Sequence, residues 1–284
     1  MQASNVGRNR KIWIFLASSI IILVLVCGVV VGFTAWGNNA GDKVLTQTLS
    51  ESLGDATAAR FDFNVGTGNL TIDRLAGGEQ LLASGTLQYL ESQGRPTGTL
   101  DMNGHLYTLT LKANGDRQAG FRLPWAACNG ETEWQIHLNP ILPSDITAYS
   151  GGGNVKINLA GMAVTRLMAD TGGGNMDVVL PDDAADLSVT VRSSAGAVTV
   201  EIGNGTTGSN TVNASSGAGN VVVRVPDGIA ARIHATSGMG KLTIDPQFSK
   251  IDDNTYQSPD YDNAADKIEI TVESGAGNVS VITK

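Results

Sequence analysis

Asp252, Asp253, Asp260 and Asp262 crowd the stretch IDDNTYQSPDYDNAAD at 251–266, together with Tyr256 and Tyr261. Carboxylates at this density could hold calcium through oxygen ligands or bind a cationic partner, and they equally suit a solvated acidic loop. Asp177, in GGGNMDVVL at 172–180, stands where a calcium-binding nonapeptide carries its aspartate. There, however, Asn175 replaces the expected glycine, other copies of the motif lack the Asp, and the period differs. His105, His137 and His234 have no i+4 or carboxylate companion in sequence and Cys128 has no nearby His, so metal-ligand and nucleophile spacings are both absent. GNGTTG at 203–208 fits G-x-G-x-x-G, yet TGSNTVNASSG follows where a pyrophosphate site needs a helix N-terminus. These residues assign no catalytic group and no cofactor. For a metal they leave only Asp177, Asp252, Asp253, Asp260 and Asp262.

The elements that would position any such group begin with a membrane segment. Ile12–Phe33 is an uncharged run that, as a helix, crosses the hydrocarbon core of about 30 Å. Trp13 and Trp36 fall at the two interfaces. Arg8, Arg10 and Lys11 precede the run and no positive charge follows until Lys43, which predicts a cytoplasmic N-terminus. The expected order is therefore a tail at 1–11, one transmembrane helix at 12–36 in the lipid bilayer, and a linker at 37–43. A cleaved signal peptide is the competing reading, since Ala35-Trp36-Gly37 loosely fits a cleavage site, but the apolar run exceeds the usual length. Val26 before Cys27 does not fit a lipoprotein signal.

Three of the 19 Lys and Arg precede Trp36 and all 27 Asp and Glu follow it, so the part beyond carries a formal charge of −11. Nucleic acid and anionic headgroups would be repelled. Cys128 is the sole cysteine beyond the membrane run, so no intramolecular disulfide is available there and packing must supply stability.

The packing signal is a repeat. Glycine-rich corners end at Gly68, Gly153, Gly174, Gly196, Gly219, Gly240 and Gly277, and four consecutive steps between them are 21–23 residues. Repeats of this size are stacked units that bury a core only against their neighbours. An alternating strand follows each corner, as in Val155/Ile157/Leu159, Met176/Val178/Leu180, Val198/Val200/Ile202 and Val221/Val223/Val225. A second turn (PDD at 181–183, GNG at 203–205, PDG at 226–228) leads into a second strand. The predicted fold is all-β, a β-solenoid with coils stacked about 4.8 Å apart. Glycine suits a corner needing positive φ and close approach of the next coil. Asn follows it at Asn69, Asn154, Asn175, Asn220 and Asn278, where stacked side chains can form ladders.

Residues 44–148 are a broader β region and 149–284 the glycine-rich repeats. In the first, Val44–Leu53 and Leu81–Tyr89 read as strands, Asn103-Gly104 as a type I′ hairpin turn, 113–133 as an exposed loop and Trp134–Leu138 as a strand. In the second, 251–266 reads as a loop leaving the solenoid and GNVSVITK as the terminal coil. That coil should be covered by the loop or used for self-association, because a bare solenoid end exposes strand edges.

With these stretches assembled, the chain resembles bacterial envelope proteins that join a toast-rack N-terminal region to a LiaF-like, cell-wall-antibiotic-response C-terminal domain. The likeness is carried by ARFDFNVGTGNLTI (59–72), LLASGTL (81–87), WQIHLNPILPSDITAYSGGGNVKINLAG (134–161), LMADTGGGNMDVVLP (167–181), ATSGMGKLTID (235–245) and DNAADKIEITVESGAGNVSVI (262–282). The resemblance implies a β-solenoid at the cell envelope with no known catalytic residues, and the charge asymmetry around the membrane run puts that domain on the extracellular side. Some members are membrane partners that restrain a sensor kinase; those tend to have several spans, where this chain has one.

Three functions follow: a membrane-anchored envelope-stress or signalling accessory, a structural or adhesive solenoid that self-associates, and a carbohydrate-active β-helix. The third needs carboxylates or Arg aligned on successive coils. The outward positions Lys156, Asp177, Thr199, Val222, Thr243 and Ser280 carry no such stripe.

Overall fold

A computed structural model describes residues 43–77, 80–114 and 132–284. The tail, the membrane run and nearly all of the linker lie outside these, as do Cys27, Cys128 and most of the 113–133 loop. No helix among the described residues is long and apolar enough to cross a membrane.

The chain is all-β. Its first strands are β1 (Val44–Ser52), β2 (Ala58–Asn64), β3 (Asn69–Arg74), β4 (Leu81–Leu90), β5 (Thr97–Asn103), β6 (Leu106–Lys112) and β7 (Glu133–Leu138). Next come β8 (Ser144–Ser150), β9 (Val155–Asn158), β10 (Val164–Thr171), β11 (Met176–Val179), β12 (Ser188–Ala195), β13 (Val198–Glu201), β14 (Ser209–Ala218) and β15 (Val221–Val225). The last are β16 (Ala231–Ser237), β17 (Leu242–Ile244), β18 (Ser249–Lys250), β19 (Thr255–Gln257), β20 (Lys267–Ala276) and β21 (Val279–Thr283).

Two sheets face each other. One runs β1-β4-β7-β3-β9-β11-β13-β15-β21-β17 and the other β5-β6-β2-β8-β10-β12-β14-β20-β16-β19-β18. Each coil gives one strand to each sheet, and strands of successive coils pair in parallel, as in a solenoid. The alternating apolar residues stack in register. Leu70, Val155, Met176, Val198, Val221 and Val279 form one row, and Phe61, Ile146, Leu167, Val189, Val212 and Ile270 lie in a row of the other sheet. Every one of these is at most 1% exposed. Burying an aliphatic side chain of this size stabilises by about 1.5–3 kcal/mol, which is how a chain rich in glycine and poor in aromatics is held.

Spatial order departs from chain order. β20 and β21 lie between β14/β15 and β16/β17, so GNVSVITK belongs to an internal coil and β16/β17 forms the terminal one. This corrects the expectation drawn from the repeat, which assumed that coils stack in the order they occur. The expected loop at 251–266 is likewise part of the sheet over its first residues. β18 and β19 make an antiparallel hairpin whose inner strand pairs Arg232 with Gln257 and Ile233 with Tyr256 on β16. At the opposite end β6/β7 is outermost although β2/β3 comes first in the chain.

The hairpin at Asn103-Gly104 also differs in detail. Asn103 pairs with Leu106, leaving Gly104 and His105 as the loop, and Gly104 alone has positive φ (60°). That sign pattern is type II′, with glycine first, and not the expected I′.

Candidate functional site: the glycine corners and the sheet faces

The corners are built from three kinds of contact made between neighbouring coils. The first is steric: a Cβ placed on Gly174, whose φ is 119°, would lie 2.3 Å from the Gly153 carbonyl oxygen. The same clash follows the spatial order, with Gly219 against Gly196, Gly277 against Gly219, and Gly240 against Gly277. The second is an asparagine ladder. The side-chain oxygen of Asn69 accepts the Asn154 backbone N–H at 2.8 Å, Asn154 serves Asn175 at 3.0 Å, Asn175 serves Ala197 at 3.0 Å, and Asn278 serves Lys241 at 2.9 Å.

The third contact was missed in the sequence. A hydroxyl three residues before the corner glycine donates to the corner carbonyl of the neighbouring coil: Ser150 to Gly68, Ser193 to Gly174, Ser216 to Gly196, Ser274 to Gly219 and Ser237 to Gly277, at 2.8–3.1 Å. Most of these hydroxyls are buried, and the bond satisfies a carbonyl that the glycine turn would otherwise strand. The legible signal was Ser/Thr-x-x-Gly, present at every corner but the first, where Val65 takes that place.

The carboxylates singled out in the sequence serve structure or lie apart. Asp177 points outward from β11 between Lys156 and Thr199 of adjacent strands. Asp252 accepts the Asn254 and Thr255 N–H groups within its own hairpin turn, and the bond from the Asn254 N–H leads in holding its carboxyl below the usual range. Asp262 takes Arg232 Nη2 at 3.0 Å and Gln257 Nε2 at 3.0 Å. Arg232 also stacks 4.4 Å over the ring of Tyr261, whose phenol is raised by burial. Asp253 is exposed in the turn, and Asp260 lines an open groove of about 350 Å³ with Asp227 and Asp266. Asp266 there accepts the Gly208 N–H at 2.7 Å. Among the described residues no three His, Cys, Asp or Glu side chains are grouped to hold a metal ion.

Two histidines do find carboxylates, which sequence distance concealed. His137 bonds Asp73 on the adjacent strand. His105 meets Asp55 at 3.3 Å, and the same Asp55 accepts the buried Tyr107 hydroxyl. That hydroxyl is the main reason the Asp55 carboxyl sits low, and the bond in turn raises Tyr107. These contacts clamp the β1–β2 loop to the β5–β6 hairpin.

The outside of the two sheets is also open to solvent. One row crosses the first sheet as Thr71, Lys156, Asp177, Thr199, Val222, Ser280 and Thr243. Another crosses the second as Thr110, Asp62, Thr147, Met168, Thr190, Asn213, Thr271 and His234. Both are mainly polar and open, the first carrying Lys156 and Asp177 and the second Asp62, unlike the concave, largely apolar sites that enclose small molecules.

The fold and its corners define a toast-rack β-solenoid. The profile for the N-terminal domain of toast-rack proteins matches residues 39–201, and that for the C-terminal part of LiaF, named for the response to cell-wall-active antibiotics, matches 203–281. The chain belongs to this toast-rack, LiaF-like family. No curated protein matches it. Among solved structures, a candidate cell-adhesion protein from Clostridium sporogenes superposes with a TM-score of 0.64 at 20% identity, covering 85% of this chain and 100% of that one. The likeness is one of fold. A candidate adhesin from Bacteroides fragilis covers 85% of this chain and 98% of its own, at 12% identity and a TM-score of only 0.29.

Proposed function

We propose that the protein is a membrane-anchored, non-catalytic module of the cell envelope that presents its sheet faces to a membrane-protein partner in envelope-stress signalling. One observation carries this reading: the polar groups that punctuate the motifs are consumed in stacking coil on coil, which leaves the broad outer faces of the sheets as the surface presented to a partner. The family match supports an envelope setting. The apolar run at 12–36 and the charges before it support a single span with the β domain outside. A sensor kinase is the partner class that the family suggests.

The test uses the full chain in its native membrane with photocrosslinking residues at Thr147 and Thr190, both on an outward row. Capture of an integral membrane protein is expected; capture of none, with the protein folded and at the surface, overturns the partner. Topology is read separately with a thiol at the exposed Asp253. A membrane-impermeant maleimide should label it in intact cells, and labelling only after lysis reverses the orientation.

A further inference from the structure

The two sheets end in four places, and antiparallel strands finish three of them. β5 covers β6, β4 and β1 cover β7, and β19 with β18 covers β16. The fourth is β17, which pairs with β21 on one side and with no strand among the described residues on the other. A parallel strand left bare offers its backbone groups to another chain.

The direction of those groups is fixed by the neighbouring ladder. The Lys241 carbonyl accepts the Val279 N–H at 3.0 Å and the Asp245 N–H donates to the Val281 carbonyl at 2.9 Å, so 241, 243 and 245 turn their backbone inward. Leu242 and Ile244 therefore aim their N–H and C=O groups at the open edge. The five residues read Lys-Leu-Thr-Ile-Asp, positive and negative at the ends, apolar on either side of a central threonine. Read backwards, such a segment complements itself.

We infer that β17 is a self-association edge, at which a second copy of this chain adds its own β17 antiparallel about a two-fold axis through Thr243. Lys241 then faces Asp245 of the second copy, Leu242 faces Ile244, and the two Thr243 side chains meet at a pair not bridged by backbone bonds. Leu242 and Ile244 exchange four backbone hydrogen bonds in this register, which matches the parity of the free groups. The contact is isologous and closed, so it ends at two copies and does not propagate into a fibre. Lys241 has no ion pair among the described residues, and Met239, 82% exposed at the corner that leads into β17, supplies apolar surface. This inference is independent of a signalling partner, because Thr147 and Thr190, used to test that partner, lie on the other sheet.

The experiment uses the full chain in detergent and in membranes, with Cys27 and Cys128 replaced by Ser. In an antiparallel pair not bridged by backbone bonds the facing Cα atoms are about 4.5 Å apart, within disulfide reach. Thr243→Cys should crosslink to a dimer under mild oxidation, while Thr199→Cys, in the same row inside the stack, should not. In sedimentation, Lys241→Glu should weaken the dimer by about tenfold, since two attractive cross-strand pairs become repulsive, and Lys241→Arg should keep it. Leu242→Pro, which removes an edge donor, should abolish it. Melting curves establish that each variant is folded. A monomer at every concentration, a dimer indifferent to Lys241→Glu with Leu242→Pro, or equal crosslinking through Thr199→Cys overturns the inference.

Discussion

The end of the stack formed by β6 and β7 is closed on both sheets, whereas the end formed by β16 and β17 is closed on one. At the closed end Trp134 is 1% exposed, pairs across strands with Leu87, and donates its indole N–H to the Gln88 carbonyl at 3.2 Å. At the other end the plug is Phe248, buried in the turn after β17. The difference shows that burial and edge protection are separate requirements: a side chain fills the apolar cross-section at both ends, but only antiparallel strands satisfy an edge.

The comparison can be broken at these plugs. Trp134→Ala should destabilise the whole β domain by about 3–5 kcal/mol, because the cavity opens within a closed, many-stranded end. Phe248→Ala should cost less globally and instead loosen residues 231–257. Hydrogen exchange checks this, and uniform loosening of the interior coils would show that the two ends are equivalent.

A second contrast sets an interior corner against the terminal one. Gly174→Val forces a side chain into a φ of 119° and against a carbonyl, with a neighbouring coil packed on either side. Backbone strain of about 1–3 kcal/mol and overpacking of similar size predict a loss near 3 kcal/mol in chemical denaturation. Gly240→Val meets a carbonyl too, but no further coil among the described residues stacks beyond its own, which can shift, so less than half that loss is expected. Gly173→Val, with nothing within 4 Å of an added Cβ, is the control.

The hydroxyl ladder gives a smaller effect. Ser193→Ala leaves the Gly174 carbonyl without its donor inside the stack and should cost about 1 kcal/mol, while Ser237→Ala at the terminal coil should cost less because water reaches that corner more easily. Equal losses in denaturant melts would remove the distinction.

The smallest effect concerns pH at the half-closed end. Asp245 accepts the Gln247 N–H, the main cause of its lowered carboxyl, and also the Thr283 N–H. A depressed folded value means its contribution is present above the unfolded value of about 3.9 and fades as pH falls through the folded one. The melting temperatures of wild type and Asp245→Asn should therefore differ slightly at neutral pH and converge below pH ~4; a gap that widens in acid refutes this account.

Much of the architecture was written locally. Alternation at Val155/Ile157 or Val221/Val223 must bury one face, and a two- or three-residue reversal with positive φ must use glycine, so strands and corners could be read without a partner in view. The candidate cation sites could not be judged that way. Whether Asp262 is free depends on Arg232, and whether His137 has a carboxylate depends on Asp73, 64 residues away. The hydroxyl ladder was present as Ser/Thr-x-x-Gly but meant nothing until the neighbouring carbonyl was in place.

Beyond the membrane run, period-two alternation and backbone sterics are enough to specify repeated β coils with glycine corners and apolar inward rows. The order of the coils depends on contacts between them. Ser237-x-x-Gly240 and Ser274-x-x-Gly277 carry the same corner, so local chemistry does not choose which one stacks on Gly219. The choice follows the length of ladder each can make. β20, with 10 residues, pairs at nine positions with the equally long β14, while β16 has seven residues and β17 only three. Placing the long coil inside satisfies more backbone groups and buries more apolar surface on both its sides, and the short coil is left at the end, where fewer backbone groups go unpaired.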